Sequence, residues 1–335
     1  MAADRSEFGR RSGDAIPAAG TGATDHDQVT DGGWAVLREM LAPASTAFGQ
    51  RFGSQAVRLL LAGMHADIPL DGSGSGFLGL LLIMPGQTVG FPVPEVGAGK
   101  LAEAMRDRFL RYGGEVVCNA EVTKITVEHG RAIGVQVHDQ FVRARRAVLA
   151  DVAAEHLYGR LVHLRRAALP PKVRARMAGF RRDPGIVKVN YALRGPVPWS
   201  APPPYAPGTV HVSDSYEVLV IGQAQLSTGH IPERPFLLVG QMTIADPTRS
   251  PEGTESLWAY THVPQRILGD AGRNLPGSWD TDEAERFADR MQDRIEQRAP
   301  GFSERILARR ILTPINGASQ RESGRRLHQR RDCGA

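Results

Sequence analysis

The chain has 335 residues, of which 41% are hydrophobic and 23% charged, as is usual for a globular protein with a substantial core. Its length predicts about two domains. The formal net charge is +5, but basic residues are dispersed among acidic ones without interleaved aromatics, so no nucleic-acid partner is expected. The two cysteines, Cys118 and Cys333, have neither metal-site nor disulfide-framework spacing, which predicts no metal and favours a reducing, cytoplasmic setting.

Secretion and membrane insertion are not expected. The first residues are charged and contain no apolar run, unlike a signal peptide. The longest apolar run, residues 77–84, is shorter than the ~20 residues that cross a bilayer. We therefore expect no transmembrane segment, while peripheral membrane contact and the oligomeric state are left open.

The N-terminal part divides into a polar leader and a helical region. Residues 1–33 have little to bury and are predicted to be a disordered leader. Apolar residues at helical spacing predict helices within residues 34–41 and 52–64. With the apolar run that follows, residues 34–92 are expected to form one helical region.

A glycine-punctuated loop at residues 90–100 opens the next region. Gly97 and Gly99 permit a tight turn into an amphipathic helix, which the glycine pair at residues 113–114 ends. Alternating apolar residues then predict a β-meander, and residues 93–152 are expected to form one helix-plus-meander unit. Its strands are predicted at residues 115–118, 122–127, 133–137, 141–143 and 147–150.

The remaining chain, residues 153–314, mixes strands and helices. Helices are predicted at residues 153–164 and 282–298. Strands are predicted at residues 186–193, 209–212, 236–244, 256–262 and 306–312.

The C-terminal residues 315–335 are polar and rich in arginine. This composition predicts a disordered, solvated tail, with a nucleic-acid-binding tail as the alternative.

An ordered series of segments resembles the phytoene desaturase-like FAD-dependent oxidoreductases, of the phytoene dehydrogenase-like type. The longest segments are GQMTIADPTRSPEG at residues 240–253 and WAYTHVP at residues 258–264. The others are FPVPE (91–95) with Gly97, GGEV (113–116), EVTKI (121–125), GRAIGV (130–135), VNYAL (189–193), PVPW (196–199), GTVH (208–211), APGF (299–302) and TP (313–314).

The resemblance implies an α/β, or mixed α+β, fold in which a Rossmann-like FAD domain is interleaved with a mixed-sheet substrate domain. Residues 93–152 would be part of the FAD domain, residues 34–92 the helical part of the substrate domain, and residues 153–314 the rest of the substrate domain. It also implies that a flavin removes a hydride from a small hydrophobic substrate, while the protein positions the cofactor. No catalytic residue is therefore assigned.

Three departures from the family pattern bear on the cofactor. No apolar strand followed by G-x-G-x-x-G and a helix is found near the N-terminus, where that fingerprint would approach the pyrophosphate. The arginine-rich tail follows residues 313–314, where the family has a glycine-rich flavin segment. Val96 replaces a family glycine. We therefore expect an incomplete FAD domain and a truncated or frame-shifted chain, for which the alternative is a non-catalytic remnant acting as a binding module.

The resemblance places candidate cofactor residues on the helix-plus-meander unit. Val122 would lie on the strand that meets the adenine end of FAD. Ala150 and Asp151 would end the last strand, where ligands of α/β sheets bind, although Asp151 is equally suited to be a helix N-cap. Gly97 and Gly99 would bring backbone N–H groups to an anion, with a plain turn as the alternative.

Candidate substrate residues are aromatic. Trp199, Trp258 and Tyr260 would line a hydrophobic pocket, with core packing as the alternative. Asp246 and Arg249 are expected to form an ion pair within a turn. Three histidines share no metal spacing and are expected to be structural: His65, His211 and His262.

Overall fold

The computed structural model describes residues 33–315, except residues 35, 36, 39, 65–69 and 163–168. The predicted leader and tail therefore lie outside the described residues, apart from the residue at which each meets the folded chain. His65 lies outside them as well. The described residues between 33 and 41 are all helical, as predicted for residues 34–41.

Helices and then a meander form the first half of the described chain. The three strands of the meander pair antiparallel in sequence order, and the predicted turn from the glycine loop into a helix is confirmed. The elements are α1 (Ala44–Arg51), α2 (Gln55–Gly63), α3 (Ser75–Thr88), α4 (Gly99–Arg111), β1 (Val122–Glu128), β2 (Arg131–Val137) and β3 (Gln140–Arg143).

The second half is built on a larger sheet. Its elements are α5 (Ala154–His156), α6 (Pro171–Ala178), β4 (Gly185–Leu193), β5 (Thr209–Val212), α7 (Tyr216–Ser227), β6 (His230–Ile231), β7 (Leu237–Gln241), α8 (Met242–Ala245), β8 (Glu255–Val263), β9 (Gly269–Asp270), α9 (Thr281–Glu296) and β10 (Ile306–Leu312). Five of the strands form an antiparallel sheet in the order β10-β4-β8-β7-β5. β6 and β9 pair separately and in parallel.

The main core lies between one face of this sheet and α9. Strands β4 and β8 pair along their full length, and both alternate buried with less buried residues. This period of two sends every second side chain towards α9. Phe287, Met291 and Ile295 of α9 are fully buried against that face, where they pack with Val189 and Ala259.

A second, smaller core joins the N-terminal helices to α7. It contains Ala44 and Phe48 of α1 together with Tyr216 and Leu219 of α7. The Tyr216 hydroxyl donates a hydrogen bond to the carbonyl of Ser45 at 2.6 Å. The helical region is thereby fixed beside the β5 edge of the five-stranded sheet.

Several predicted elements differ from the structure. Residues 115–118 and 147–150 are not strands. A strand needs a hydrogen-bonded neighbour, and no described strand pairs with either segment. The predicted strand at residues 236–244 ends at Gln241 and continues as α8, while the predicted helix at residues 153–164 is reduced to α5 and one π-helical turn, Leu157–Leu161. Helices α1 and α7 were not predicted.

The predicted mixed α/β class is confirmed, since helices pack with antiparallel sheets. None of the helices in the described part of the chain combines the length and hydropathy required to span a bilayer.

Candidate functional site

A cavity of about 1170 Å³ lies beside strand β5, which is at one edge of the five-stranded sheet. It is bounded by α2, by β5 and β7, and by the proline-rich loop that follows Trp199. One part of the lining is apolar and includes Leu59, Leu60, Met64, Phe91 and Leu238. The arrangement can hold an apolar molecule away from water.

Trp199 forms part of the cavity wall and is fixed there by a polar anchor. Its indole Nε1 donates to Oε1 of Gln241 at 3.0 Å. Gln241 is itself buried, and its Nε2 donates to the carbonyl of Pro207 at 2.6 Å. A buried amide with both ends bonded holds the indole in one orientation. Gln241 was missed in the sequence because its partner is 42 positions away.

Trp258 and Tyr260 lie on the face of the sheet that is opposite α9. Their rings stack at 5.6 Å between centroids and 22° between planes. Tyr260 pairs with Leu238, whose side chain lines the cavity, so the aromatic pair continues the same sheet face away from β5. Neither aromatic lines the cavity itself. Of the three predicted pocket aromatics, the structure therefore places Trp199 at the cavity and the other two beside it.

Close packing around Trp258 fixes its ring over β7. A Cβ added to Gly240 would lie 2.1 Å from the indole, so only glycine allows this approach. The indole Nε1 donates to Sδ of Met242 at 3.2 Å. The ammonium of Lys188 lies 5.3 Å from the ring centroid, and burial lowers the pKa of this lysine. The face therefore presents an aromatic surface with one amine.

The glycine loop contacts the turn that follows β7. The N–H of Val96 donates to Oδ2 of Asp246 at 2.7 Å, and a Cβ on Gly97 would lie 3.2 Å from the Arg249 guanidinium. The pKa of Asp246 is lowered, chiefly by the hydrogen bond from the Thr248 hydroxyl. Asp246 and Arg249 do not form the predicted direct ion pair: the carboxylate accepts hydrogen bonds from Thr248 and Val96, and the positive charge of Arg249 makes only a smaller contribution to its lowered pKa.

The backbone of this loop has a conformation that suits glycine at residues 96 and 97. Val96 has a φ of 61° and Gly97 a φ of 107°. Positive φ is disfavoured for a β-branched residue and is readily adopted by glycine. The N–H of Gly97 donates to the carbonyl of Pro94, and the N–H of Lys100 donates to the carbonyl of Gly97. The loop is thus closed on itself and held to the Asp246 turn.

The other predicted cofactor residues are dispersed. Gly99 is the exposed first residue of α4, and Val122 is the half-buried first residue of β1. Ala150 and Asp151 do not end a strand, since residues 147–150 are irregular and Leu149 is 95% exposed. Asp151 is not a helix N-cap either, because Ala153 occupies that position of α5. A cofactor role for these residues stays a prediction.

A G-x-G-x-x-G spacing occurs at Gly74, Gly76 and Gly79, although no dinucleotide-binding fingerprint is predicted there. Its context is not that of a dinucleotide site. The residues directly before it form a turn, and the motif runs into α3. A Cβ on Gly76 would lie 3.3 Å from the carbonyl of Ala42, so this glycine allows α3 to pack closely on the chain around α1.

Two of the three histidines that were expected to be structural are described, and both form ring contacts. His211 lines the cavity and packs edge-on against Phe236 at 5.6 Å, and His262 packs edge-on against Tyr260 at 5.9 Å. No group of three or more His, Cys, Asp or Glu residues suited to a metal ion is found among the described residues.

Comparison with known proteins places these features in a family context. No protein-family model matches the chain. The mouse protein named pyridine nucleotide-disulfide oxidoreductase domain-containing protein 2 is 26% identical, over 82% of this chain and 49% of its own length. A phytoene desaturase (neurosporene-forming) of Cereibacter sphaeroides is 28% identical, over 65% of this chain and 40% of its own length. The resemblance to the phytoene desaturase-like oxidoreductases is confirmed.

The fold is shared with a solved structure. An oxidoreductase from Methanosarcina mazei superposes with a TM-score of 0.54 at 15% identity, covering 87% of this chain and 61% of that one. The chain spans about half the length of the mouse relative that it matches.

Proposed function

We propose that this chain is part of an FAD-dependent dehydrogenase whose hydrophobic substrate binds in the cavity beside β5. The observation that carries the proposal is the apolar lining of this cavity on the sheet face that also bears Trp258 and Tyr260. Relatives named phytoene desaturase support a flavin-type redox reaction on an apolar molecule. In this proposal, residues 93–152 contact the cofactor and residues 153–314 form the substrate domain.

Arg249, beside the glycine loop, suits an anionic part of such a cofactor. This arginine is exposed, whereas the adjoining Gly97 is buried and its N–H donates to the carbonyl of Pro94, so the anion would meet the guanidinium and not the Gly97 N–H. We therefore assign Gly97, Gly99 and Arg249 to the cofactor side, with Val122 at the predicted adenine end. When bound, the flavin supplies a hydride acceptor.

The residues of the chain itself position the substrate. Trp199, held by Gln241, gives the cavity a rigid wall. Apolar side chains of α2 give the substrate an apolar surface to contact. This division assigns binding and orientation to the protein and electron acceptance to the cofactor.

FAD titration of the purified protein tests the cofactor half of the proposal. We expect saturable quenching of FAD fluorescence, weakened in Arg249→Ala and unchanged in Arg176→Ala, an exposed arginine of α6 that does not adjoin the glycine loop. With FAD bound, phytoene should be converted to a product with longer-wavelength absorbance. If no FAD binds at any concentration, the dehydrogenase proposal for this chain is wrong.

The alternative is a binding module without catalysis. Helix α4 favours this alternative, because none of its apolar side chains is buried and an exposed apolar helix face is suited to binding another molecule. Saturable binding of phytoene without FAD binding would support this alternative over the dehydrogenase.

A further inference from the structure

Asp214, which lines the cavity, is surrounded by arginines. Three arginines each form an ion pair with Asp214: Arg294 at 2.7 Å, Arg298 at 2.9 Å, and Arg234. Asp214 is the sole carboxylate of the described residues that pairs with these three guanidinium groups. The group of four, the Asp214 cluster, therefore has a net charge of +2.

The cluster forms part of the cavity wall. Asp214 and Arg298 line it, next to Ser213 and Gln297. The side chain of Arg298 is 48% exposed, whereas that of Asp214 is 14% exposed. A molecule in the cavity would thus have apolar side chains along its body and a guanidinium at one end.

The hydrogen-bonding capacity of the cluster is not met within the protein. Arg294 is 4% exposed, and its Nε and Nη2 atoms have no hydrogen-bond partner among the described residues. A guanidinium offers five N–H donors, and burying such a cation without acceptors is unfavourable. Oδ2 of Asp214 lacks a hydrogen-bond partner as well, and Arg294 does not line the cavity. An anion in the cavity would therefore offset the net positive charge of the cluster without reaching the free donors of Arg294.

A purely structural role explains only part of the cluster. Arg294 and Arg298 lie at the C-terminal end of α9, where cations interact favourably with the helix dipole. Their contact with Asp214 also fixes α9 to the turn before α7. A single arginine would serve both purposes, whereas Arg298 adds a second charge at the cavity.

We propose that the cavity binds most tightly a ligand that combines an apolar body with an anionic head group, such as a carboxylate, which Arg298 binds; a hydrocarbon such as phytoene would occupy the apolar part alone. The inference rests on the proposed function, since it specifies the substrate class of the same cavity. Arginine binds carboxylates through paired N–H donors, so the geometry of the head group is also selected. If each carbon of a twelve-carbon chain takes about 30 Å³, the volume of one water in the liquid, the chain needs roughly 360 Å³. The cavity of about 1170 Å³ therefore has ample room.

Matched ligands test this proposal without any cofactor. Calorimetric titration of the full-length protein with dodecanoate and with dodecanol compares two molecules that differ in the head group. We expect dodecanoate to bind at least about tenfold more tightly, a difference of ~1.4 kcal/mol. Arg298→Gln should abolish this preference and leave dodecanol binding unchanged, whereas Arg298→Lys should retain part of it. Arg176→Gln, which alters an exposed arginine outside the cavity, should behave as wild type.

The outcomes separate the two proposals. Equal binding of both ligands by the wild type would overturn the anionic-head proposal and leave the apolar cavity, and with it the proposed function, intact. Binding of neither ligand would overturn both. A preference that persists in Arg298→Gln, in a variant whose melting temperature matches wild type, would also overturn the assignment to Arg298.

Discussion

Helices α9 and α4 have similar amphipathic sequences but contrasting surroundings. In α9, Phe287, Met291 and Ile295 are fully buried against the five-stranded sheet. In α4, no residue is buried, and Leu101 and Met105 are more than half exposed. The comparison shows that an apolar stripe specifies a helix but does not specify what covers it. It also predicts where this chain is sensitive to mutation.

The largest expected effect concerns ion pairs in the two regions. Asp270 is buried and pairs with Arg290 at 2.8 Å, while the Arg106–Asp107 pair of α4 is exposed on both sides. Asp270→Ala leaves a largely buried cation unpaired and should lower the free energy of unfolding by about 3–5 kcal/mol. Asp107→Ala, the matched control, should change it by less than about 1 kcal/mol. Urea denaturation measures both, and equal losses would refute the contrast between the regions.

The same aspartate predicts a pH dependence. Burial raises the pKa of Asp270, but hydrogen bonds from Arg290 and from backbone N–H groups outweigh it, so the folded-state pKa lies below its ordinary value. The stability that this carboxylate contributes is therefore fully present above about pH 4 and is lost as the pH falls through the folded-state pKa. Denaturation between pH 6 and pH 3 should show a steeper loss for wild type than for Asp270→Asn; parallel curves would contradict the assignment.

Two methionines make the next comparison. Met291 is fully buried in α9 and Met105 is 65% exposed in α4. Met291→Ala should cost about 2–5 kcal/mol of unfolding free energy, because it removes buried methylene groups and leaves a cavity. Met105→Ala should change the free energy by no more than about 0.5 kcal/mol. If Met105→Ala were as destabilising as Met291→Ala, the face of α4 would be covered in solution.

The smallest effects are expected in the glycine loop. Val96→Gly should stabilise the protein by about 1 kcal/mol, because it relieves a positive φ at a β-branched residue. Gly97→Ala should destabilise it by a similar amount, since its φ is 107° and its Cβ would meet Arg249. Gly99→Ala, in the first turn of α4 with open space around it, is the control and should be neutral or slightly stabilising. The melting temperatures of the three variants test this order. Identical shifts in all three would contradict the positive φ angles of residues 96 and 97.

Sequence patterns predicted the sheet better than its surroundings. β5 and β10 have their predicted bounds because each is a short alternating or apolar run between turn residues. Helix α7 was missed because it is rich in β-branched and apolar residues without a helical stripe, and only the Ser215 hydroxyl, which accepts from the N–H of Val218, marks its start.

The site depends on contacts that are distant in sequence. Arg298 meets Asp214 across 84 positions, and Asp246 meets Val96 across 150. No local pattern encodes such pairs. The resemblance predicted that Trp199, Trp258 and Tyr260 line a pocket. The strand register, which the sequence does not give, places Trp258 and Tyr260 on the sheet face beside the cavity.

Anaerobic spectroscopy of the FAD-loaded protein tests the central claim most directly. If the cavity beside β5 delivers an apolar substrate to the flavin, adding phytoene should bleach the absorbance of the oxidised flavin, because the flavin accepts a hydride. Ala56→Trp, which places an indole in the cavity lining, should slow bleaching strongly, whereas Ala102→Trp on exposed α4 should not. Bleaching at the wild-type rate in Ala56→Trp, or none in the wild type, would contradict the account.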